Sequence, residues 1–355
     1  MNNYLDVIIV SYNHAHFMTK LFKSLAKVQQ DIPWRIHLVI NKEGDGTLEV
    51  AEALISELKD QLPEVKIHRP HANLGFAGGN NIVIDWAIKH NAKYIYLLNP
   101  DTEVFPNTFN EAIKVMDSNP NIGSIQSLLL RGNTPELVNS WGNSLHFIGF
   151  GYCGGDLAPI ESAPQEVKTI GYSSGAGVLF SVDVLKKVGL LDEELFAYHE
   201  DLDLGWRIWI AGYQNLLAPK SKVKHYYEFS RSVQKWELME RNRIIVLLKN
   251  YSLFNLMLLS PVIIATDVAI WAFAVRGGWI KRKFKASIWF LKPSSWRYIL
   301  SGRQKIKQIR RMPDRLIFPI MTYKIEYQEL NAGLAEKVAN LFWEVFYNMY
   351  RFIII

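Results

Sequence analysis

Four short apolar runs, each ending in a polar cluster and each followed by a single helical pattern, limit this chain more than any other feature. The runs are Val7–Val10, Ile36–Ile40, Ile67–His68 and Tyr94–Leu98, and the helical patterns span 17–28, 48–62, 81–89 and 107–117. Strands separated by single helices need right-handed crossovers, which gives an α/β fold with a mainly parallel sheet flanked by helices. Residues 121–180 are richer in Gly, Asn and short apolar runs, as expected of strands and loops, and 182–188 and 202–211 return to the helical period. The start, MNNYLDVIIVSYN, lacks a basic n-region and a long apolar h-region, so it reads as the first strand and not as a signal peptide.

In an open parallel sheet, ligands bind at the carboxyl ends of the strands. The polar residues there are Ser11, Tyr12 and Asn13 after the first run and Asn41 and Asp45 after the second. The segment 73–81, with Asn73, Gly75, Phe76, Gly79 and Asn80, follows the third, and Asn99 and Asp101 follow the fourth. Each alone has a plain alternative, because strand-to-helix turns favour Asn, Asp and Gly for backbone reasons. Four such clusters converging on one crevice argue for a ligand. Asp101 suits a Mg2+ or Mn2+ ion held on a diphosphate, with a helix N-cap as its alternative. The glycines of 75–79 let backbone N–H groups approach an anion.

Further on, Glu200, Asp201 and Asp203 open a helix, where the dipole favours acids. Three acids in four residues, followed by Trp206 and Arg207, exceed what capping requires, and a carboxylate there suits removal of a proton from an attacking hydroxyl. His225, after the β-like 222–224, is the candidate second metal ligand beside Asp101. Trp141, Phe147, Phe150 and Tyr152 suggest sugar stacking, with core packing as the commoner explanation.

After Lys235 the character changes. Between Arg276 and Arg315 thirteen Lys/Arg face the single acid Asp314, so the rest of the chain is net acidic although the total charge is +6. Basicity confined to one tail points to an anionic membrane surface and away from nucleic acid. Residues 253–275 are long enough to span a bilayer, but Pro261 and Asp267 near the middle disfavour a span. A buried or interfacial helical hairpin broken at Pro261 is the favoured reading. Residues 281–296 mix Lys/Arg with large apolar residues, as in a helix lying among headgroups. A last amphipathic helix, 334–352, is a candidate contact with the membrane or a second copy. The division is therefore a catalytic domain over 1–245 and a basic, apolar helical region over 246–355. The one cysteine, Cys153, excludes an internal disulfide framework and fits a reducing compartment.

Taken together these residues resemble glycosyltransferase family 2, which has the GT-A fold, and most closely its bacterial rhamnosyltransferase-like branch that builds cell-surface polysaccharides. Val10–Asn13 is similar to that branch's first-strand signature, Asn73–Asn81 to its N-L-G-F-A-x-G-N-N loop, and Leu97–Asp101 to its variant of the D-x-D metal motif. Gly171–Phe180, with Ser174 and Gly175, is similar to the acceptor-side loop. Glu200-Asp201 with Trp206-Arg207 resembles the region supplying the base, His225 with the later Ser230 resembles the late histidine segment, and 240–243 resembles the entry to the tail. The resemblance implies an inverting, metal-dependent transferase using a UDP- or dTDP-sugar to extend glycans on a lipid carrier at the cytoplasmic face. It implies Asp201 as base with Glu200 next, Asp101 and His225 on the metal, and Ser174, Gly175, Trp206 and Arg207 on acceptor or diphosphate. The remaining strand-end residues would bind the donor. The sequence departs from the family where Ile40 and Asn41 replace the usual acid contacting the nucleotide base and Glu43 replaces a small polar residue. A nucleotidyltransferase is a weaker rival, since 11–16 has no glycine and no Lys or Arg. A non-catalytic scaffold that only binds a glycan or another transferase is the rival outside enzymes.

Overall fold

The computed structural model describes residues 4–227, 234–325 and 334–354, and Ser230 lies outside them. The first half reads β1 (Tyr4–Ser11), α1 (Ala15–Leu25), β2 (Trp34–Ile40), α2 (Thr47–Glu57), β3 (Glu64–His68), α3 (Gly75–Lys89), β4 (Ala92–Leu98), β5 (Thr102–Val104) and α4 (Thr108–Asp117). Then come β6 (Ile122–Arg131), β7 (Val138–Ser140), β8 (Asn143–Leu145), β9 (Gly151–Cys153), β10 (Lys168–Thr169), β11 (Gly177–Ser181), α5 (Val182–Val188), α6 (Glu200–Ile210) and β12 (Gln214–His225). The helical region is α7 (Gln234–Asn250), α8 (Leu253–Arg276), α9 (Ile280–Ile288), α10 (Pro293–Ile309), α11 (Asp314–Ile317) and α12 (Leu334–Ile354).

The main sheet runs β10-β12-β6-β11-β4-β1-β2-β3. Strands β4, β1, β2 and β3 are mutually parallel, and so are β6 and β12. Strand β11 lies antiparallel between the two groups. Every residue of β1 after Tyr4 is buried, because helices cover both faces of a parallel sheet. Met18, Phe22, Phe109 and Met116 of α1 and α4 pack on one face. Ile84, Leu185, Leu204 and Ile208 of α3, α5 and α6 pack on the other.

A third core joins the two regions of the chain. Trp206, Trp209 and Ile210 of α6 meet Ile245, Val246 and Tyr251 of α7 and its end, together with Leu259, Phe318 and Tyr347. The boundary at 245/246 falls within α7. Phe147 is fully buried there, edge-on to Phe318 and Tyr347, and Phe150 packs beside it, so core packing accounts for both. Trp141 is wrapped by Gly154 and Gly155, where any Cβ would collide with its indole.

The tail differs from the sequence expectation in three ways. Helix α8 is continuous and does not break at Pro261. Proline leaves the Met257 carbonyl without its i+4 donor, and the Ser260 hydroxyl supplies one at 2.8 Å. Asp267, unpartnered in the linear sequence, receives Lys283 Nζ at 2.5 Å and Arg243 at 3.5 Å. Residues 281–296 form two helices instead of one, with Pro293 in the first turn of α10, where its missing N–H costs nothing. The side of α8 away from the protein is apolar and exposed, presenting Leu253, Met257, Ile264, Val268 and Val275.

Candidate active site

The crevice is assembled at the carboxyl ends of β1, β2 and β4 and the amino end of β11. Asn13 adopts φ 61°, a left-handed conformation that Asn tolerates. This aims its N–H at Asp45 Oδ2, 2.6 Å away, while Thr47 N–H donates to Asp45 Oδ1 at 2.9 Å. Against the effect of its partial burial, these bonds and nearby Lys42 hold the Asp45 carboxyl below its ordinary range. Lys42 also donates to Asn13 Oδ1 at 2.9 Å and stands over the exposed Tyr12 ring. Ser11 is buried with its hydroxyl toward Thr47.

The glycine-rich segment is not an open loop but the first turns of α3. Asn73 Oδ1 accepts from Gly75 N–H, and Phe196 O accepts from Ala77 N–H, so two of the N–H groups expected to face an anion are already taken. Asn41 donates to Gly75 O at 2.7 Å and Asn80 to Phe76 O at 2.8 Å. Gly79 lies against Val10 and Asn41, leaving no room for a Cβ. Asn41, Gly79 and Asn80 therefore shape the wall from within, while the exposed Asn73 holds the head of α3 through Gly75 N–H. Phe76 reaches the crevice: a Cβ on Gly175 would sit 2.7 Å from its ring.

Asn99 N–H donates to Ala176 O, tying the end of β4 to the Ser174–Ala176 loop. Two residues on, Asp101 Oδ1 and His225 Nε2 stand 3.4 Å apart, buried, without a hydrogen bond between them. His225 Nδ1 donates at 2.8 Å to Asn139 Oδ1, and the Asn139 amide nitrogen is turned toward Asp156, which Arg131 grips with two bonds to Oδ1 and one to Oδ2. With Nδ1 committed as donor, the neutral form of the ring would present the Nε2 lone pair to a carboxylate oxygen. Two electron-rich atoms facing each other in a buried site are a fit for a divalent cation. Among the described residues no group of three or more His, Cys, Asp or Glu gathers around one point, so the remaining ligands would be phosphate oxygens and water, as Mg2+ commonly accepts. Against desolvation, positive charge on His225 and then on His14 holds the Asp101 carboxyl below its ordinary range, the same direction in which a cation between Asp101 and His225 would act, and burial lowers the His14 imidazole. His14 and Asn139 escaped the sequence reading. His14 sits three residues past a strand end, a legible position, whereas Asn139 is signalled by nothing local.

On the opposite lip, Gly175 N–H points to Asp201 Oδ2 at 3.4 Å and Leu202 N–H bonds Asp201 Oδ1 at 2.8 Å. Burial raises the Asp201 carboxyl to about 6 despite those two N–H groups. Glu200 is more deeply buried, with Oε2 unpartnered, and burial together with the Asp201 charge pushes its carboxyl well above the usual range. Both effects favour the protonated form of Glu200, which makes it the weaker of the two carboxyls as a proton acceptor.

Trp206 and Arg207 do not reach the crevice. Trp206 is fully buried edge-on to Tyr251 in the third core. Arg207 pairs with Asp203 at 2.8 Å and donates to the carbonyls of Val188, Gly189 and Leu190. Asp203, the third acid, also binds Lys249 and Asn250, so this buried cluster is structural.

Comparison with known proteins bears on the family and the fold. The sequence model described as "Glycosyl transferase family 2" matches residues 6–154, and that of "Glycosyl transferase family group 2" matches 94–301, more than half the chain. The N-acetylglucosaminyl-diphospho-decaprenol L-rhamnosyltransferase of Mycobacterium tuberculosis is 23% identical over 265 residues, covering 64% of this chain and 77% of that protein. The low-salt glycan biosynthesis hexosyltransferase Agl10 of Haloferax volcanii is 23% identical over 208 residues, covering 57% and 61%. Among solved structures, GalNAc-T7 with UDP, GalNAc and Mn2+ superposes with a TM-score of 0.57 at 18% identity, over 71% of this chain and 49% of that one, so the present chain spans about half its length. TarS residues 1–349 of S. aureus gives a TM-score of 0.50 at 14% identity, over 98% and 91%. The chain belongs to glycosyl transferase family 2 and has the GT-A fold.

Proposed function

We propose that this protein transfers a hexose, L-rhamnose first among the candidates, from a dTDP- or UDP-sugar to a hydroxyl of a lipid-linked or polysaccharide acceptor, with inversion at the anomeric carbon. The observation that carries this reading is the crevice with two different lips: Asp101 facing His225 on one side, and the Asp201 carboxyl behind Gly175 on the other. The names of the relatives support a sugar donor and a lipid-diphosphate acceptor. Asp101 and His225 would hold Mg2+ or Mn2+, which when bound neutralises the charge developing on the departing diphosphate. Asp201 is ionised above about pH 6 and takes the acceptor hydroxyl proton as the new C–O bond forms and the sugar–phosphate bond breaks. Ser11, Tyr12, Asn13, Asp45, Phe76 and Asn99 line the donor side, and Ser174 and Gly175 the acceptor side.

The test is nucleoside-diphosphate release from a panel of UDP-, dTDP- and GDP-sugars with Mn2+ and a lipid-linked acceptor. Release from one donor, absent in Asp101→Ala, is expected. A folded protein that releases nothing from any donor refutes the reading.

A nucleotide-sugar donor and a lipid-linked acceptor support a peripheral enzyme at the cytoplasmic face. The apolar stripe of α8, with exposed Phe284, Trp296 and Leu300 among exposed Lys281, Lys285 and Arg297, supports docking on anionic lipid. Co-sedimentation with vesicles containing phosphatidylglycerol, weakened by high salt and weak with neutral vesicles, is the expected result. Equal binding to both vesicle types at all salt concentrations would remove the electrostatic part.

A further inference from the structure

The segment entering α6 carries three non-glycine residues with positive φ: Phe196 at 62°, Tyr198 at 67° and His199 at 70°. At Phe196 the backbone closes a γ-turn of the positive-φ kind, with ψ −62° and Ala197 N–H donating to Leu195 O at 2.7 Å. This turn is rare and strained for a residue with a Cβ. It persists only where its surroundings impose it.

The constraint comes from one side chain of the helical region. Asn242, on α7 and fully buried, directs its amide nitrogen to three carbonyls of this turn: Leu195 at 2.8 Å, Ala197 at 3.0 Å and Tyr198 at 2.7 Å. Arg241 Nε donates to Asn242 Oδ1 at 3.0 Å, which fixes which end of the amide faces the turn, and Arg241 Nη2 donates to Glu194 O at 2.6 Å.

The clamped turn touches both halves of the crevice. Phe196 O accepts from Ala77 N–H, and Phe196 is so close to the head of α3 that a Cβ on Gly75 would meet its carbonyl at 2.4 Å. His199 is the N-cap of α6, and Glu200 and Asp201 follow directly.

We propose that Asn242 is a positioning residue for the transfer: by holding the strained turn it fixes where the Asp201 carboxyl stands relative to the Phe76 side of the crevice. This rests on the function proposed above. A buried asparagine with a general packing role would affect stability alike in any background. A residue that imposes left-handed backbone is partly dispensable when glycine, which adopts φ > 0 freely, replaces Tyr198.

The experiment compares wild type, Asn242→Ala, Tyr198→Gly and the double variant, by kcat and KM and by hydrogen exchange of the full chain. Asn242→Ala is expected to lose about 10²-fold in kcat, the scale of a group displaced by an ångström. The loss should be less than tenfold when Asn242→Ala is made on top of Tyr198→Gly. In Asn242→Ala the amides of 197–203 should exchange faster while those of β1 and β4 are unchanged. An equal loss in both backgrounds, or unchanged exchange at 197–203, overturns the proposal. If Asn242→Ala does not fold, Asn242→Asp, which keeps the shape and turns oxygens toward the carbonyls, replaces it under the same criteria. If wild type releases no diphosphate from any donor, the functional reading has failed, and the exchange data alone decide whether Asn242 holds the turn.

Discussion

Asn at position 201 should remove transfer while leaving the fold as stable as before, or more so, at neutral pH. The Asp201 carboxyl lies at about 6 in the folded chain against an ordinary value of 3.8. A raised acid binds its proton more tightly when folded, so ionisation adds no cost below about pH 4. The cost grows as pH rises from about 4 to the folded value and is complete just above it. A gap of about two units corresponds to roughly 3 kcal/mol at most, and since Asp201 is only partly buried, solvent screening reduces this to about 1–2 kcal/mol. Asn removes that cost. It keeps one oxygen for Leu202 N–H at 2.8 Å and gives up the long 3.4 Å contact with Gly175 N–H, a loss of about 1 kcal/mol or less. The urea midpoint of Asp201→Asn at pH 7.5 should equal or exceed that of wild type, and the difference should vanish or reverse at pH 4.5. Diphosphate release should fall by 10²–10⁴-fold, the range for a lost general base. A variant less stable than wild type by the same margin at both pH values would refute the argument, because the Asp201 carboxyl would then carry no shift on folding.

Two further outcomes follow from the same geometry. Asn139→Ala removes the acceptor that fixes the His225 ring and should weaken Mn2+ binding by about 10–100-fold, measured as the Mn2+ concentration that half-saturates the rise in melting temperature. An unchanged titration would show that His225 does not hold the ion. Asp267→Ala leaves buried Lys283 and Arg243 sharing Glu240 alone and should cost about 3 kcal/mol or more, lowering the melting temperature by several degrees. A change below one degree would mean that the pair contributes little.

The strands and the crevice were legible because burial on both faces writes strands as continuous apolar runs and because polar residues cluster at their ends. The register was not: β11 enters antiparallel between two parallel groups, and nothing in Gly177–Ser181 announces its direction. The glycine-rich segment reads as a loop because glycine disfavours helix interiors, yet here close packing on Phe196 and Val10 demands glycine within a helix. Arg207 carries a local signal of its structural role. It stands four residues after Asp203, the spacing of a helical ion pair, which already favoured a structural role. The partners of Asp267 lie 24 residues before it and 16 after it, and only the folded packing of α7, α8 and α9 brings them together.

Asp267 also bears on how the chain is sorted while it is being made. Helix α8 is long and apolar enough to cross a membrane by length and composition, and it is synthesised before Lys283 exists to meet it. In that interval the carboxylate near its middle weighs against bilayer integration by about 2.5–3.5 kcal/mol on insertion scales. Once α9 follows, the same carboxylate becomes the tie that seats the helix on the protein. One acidic side chain thus makes the isolated segment a poorer membrane span and fastens the helix in the finished fold.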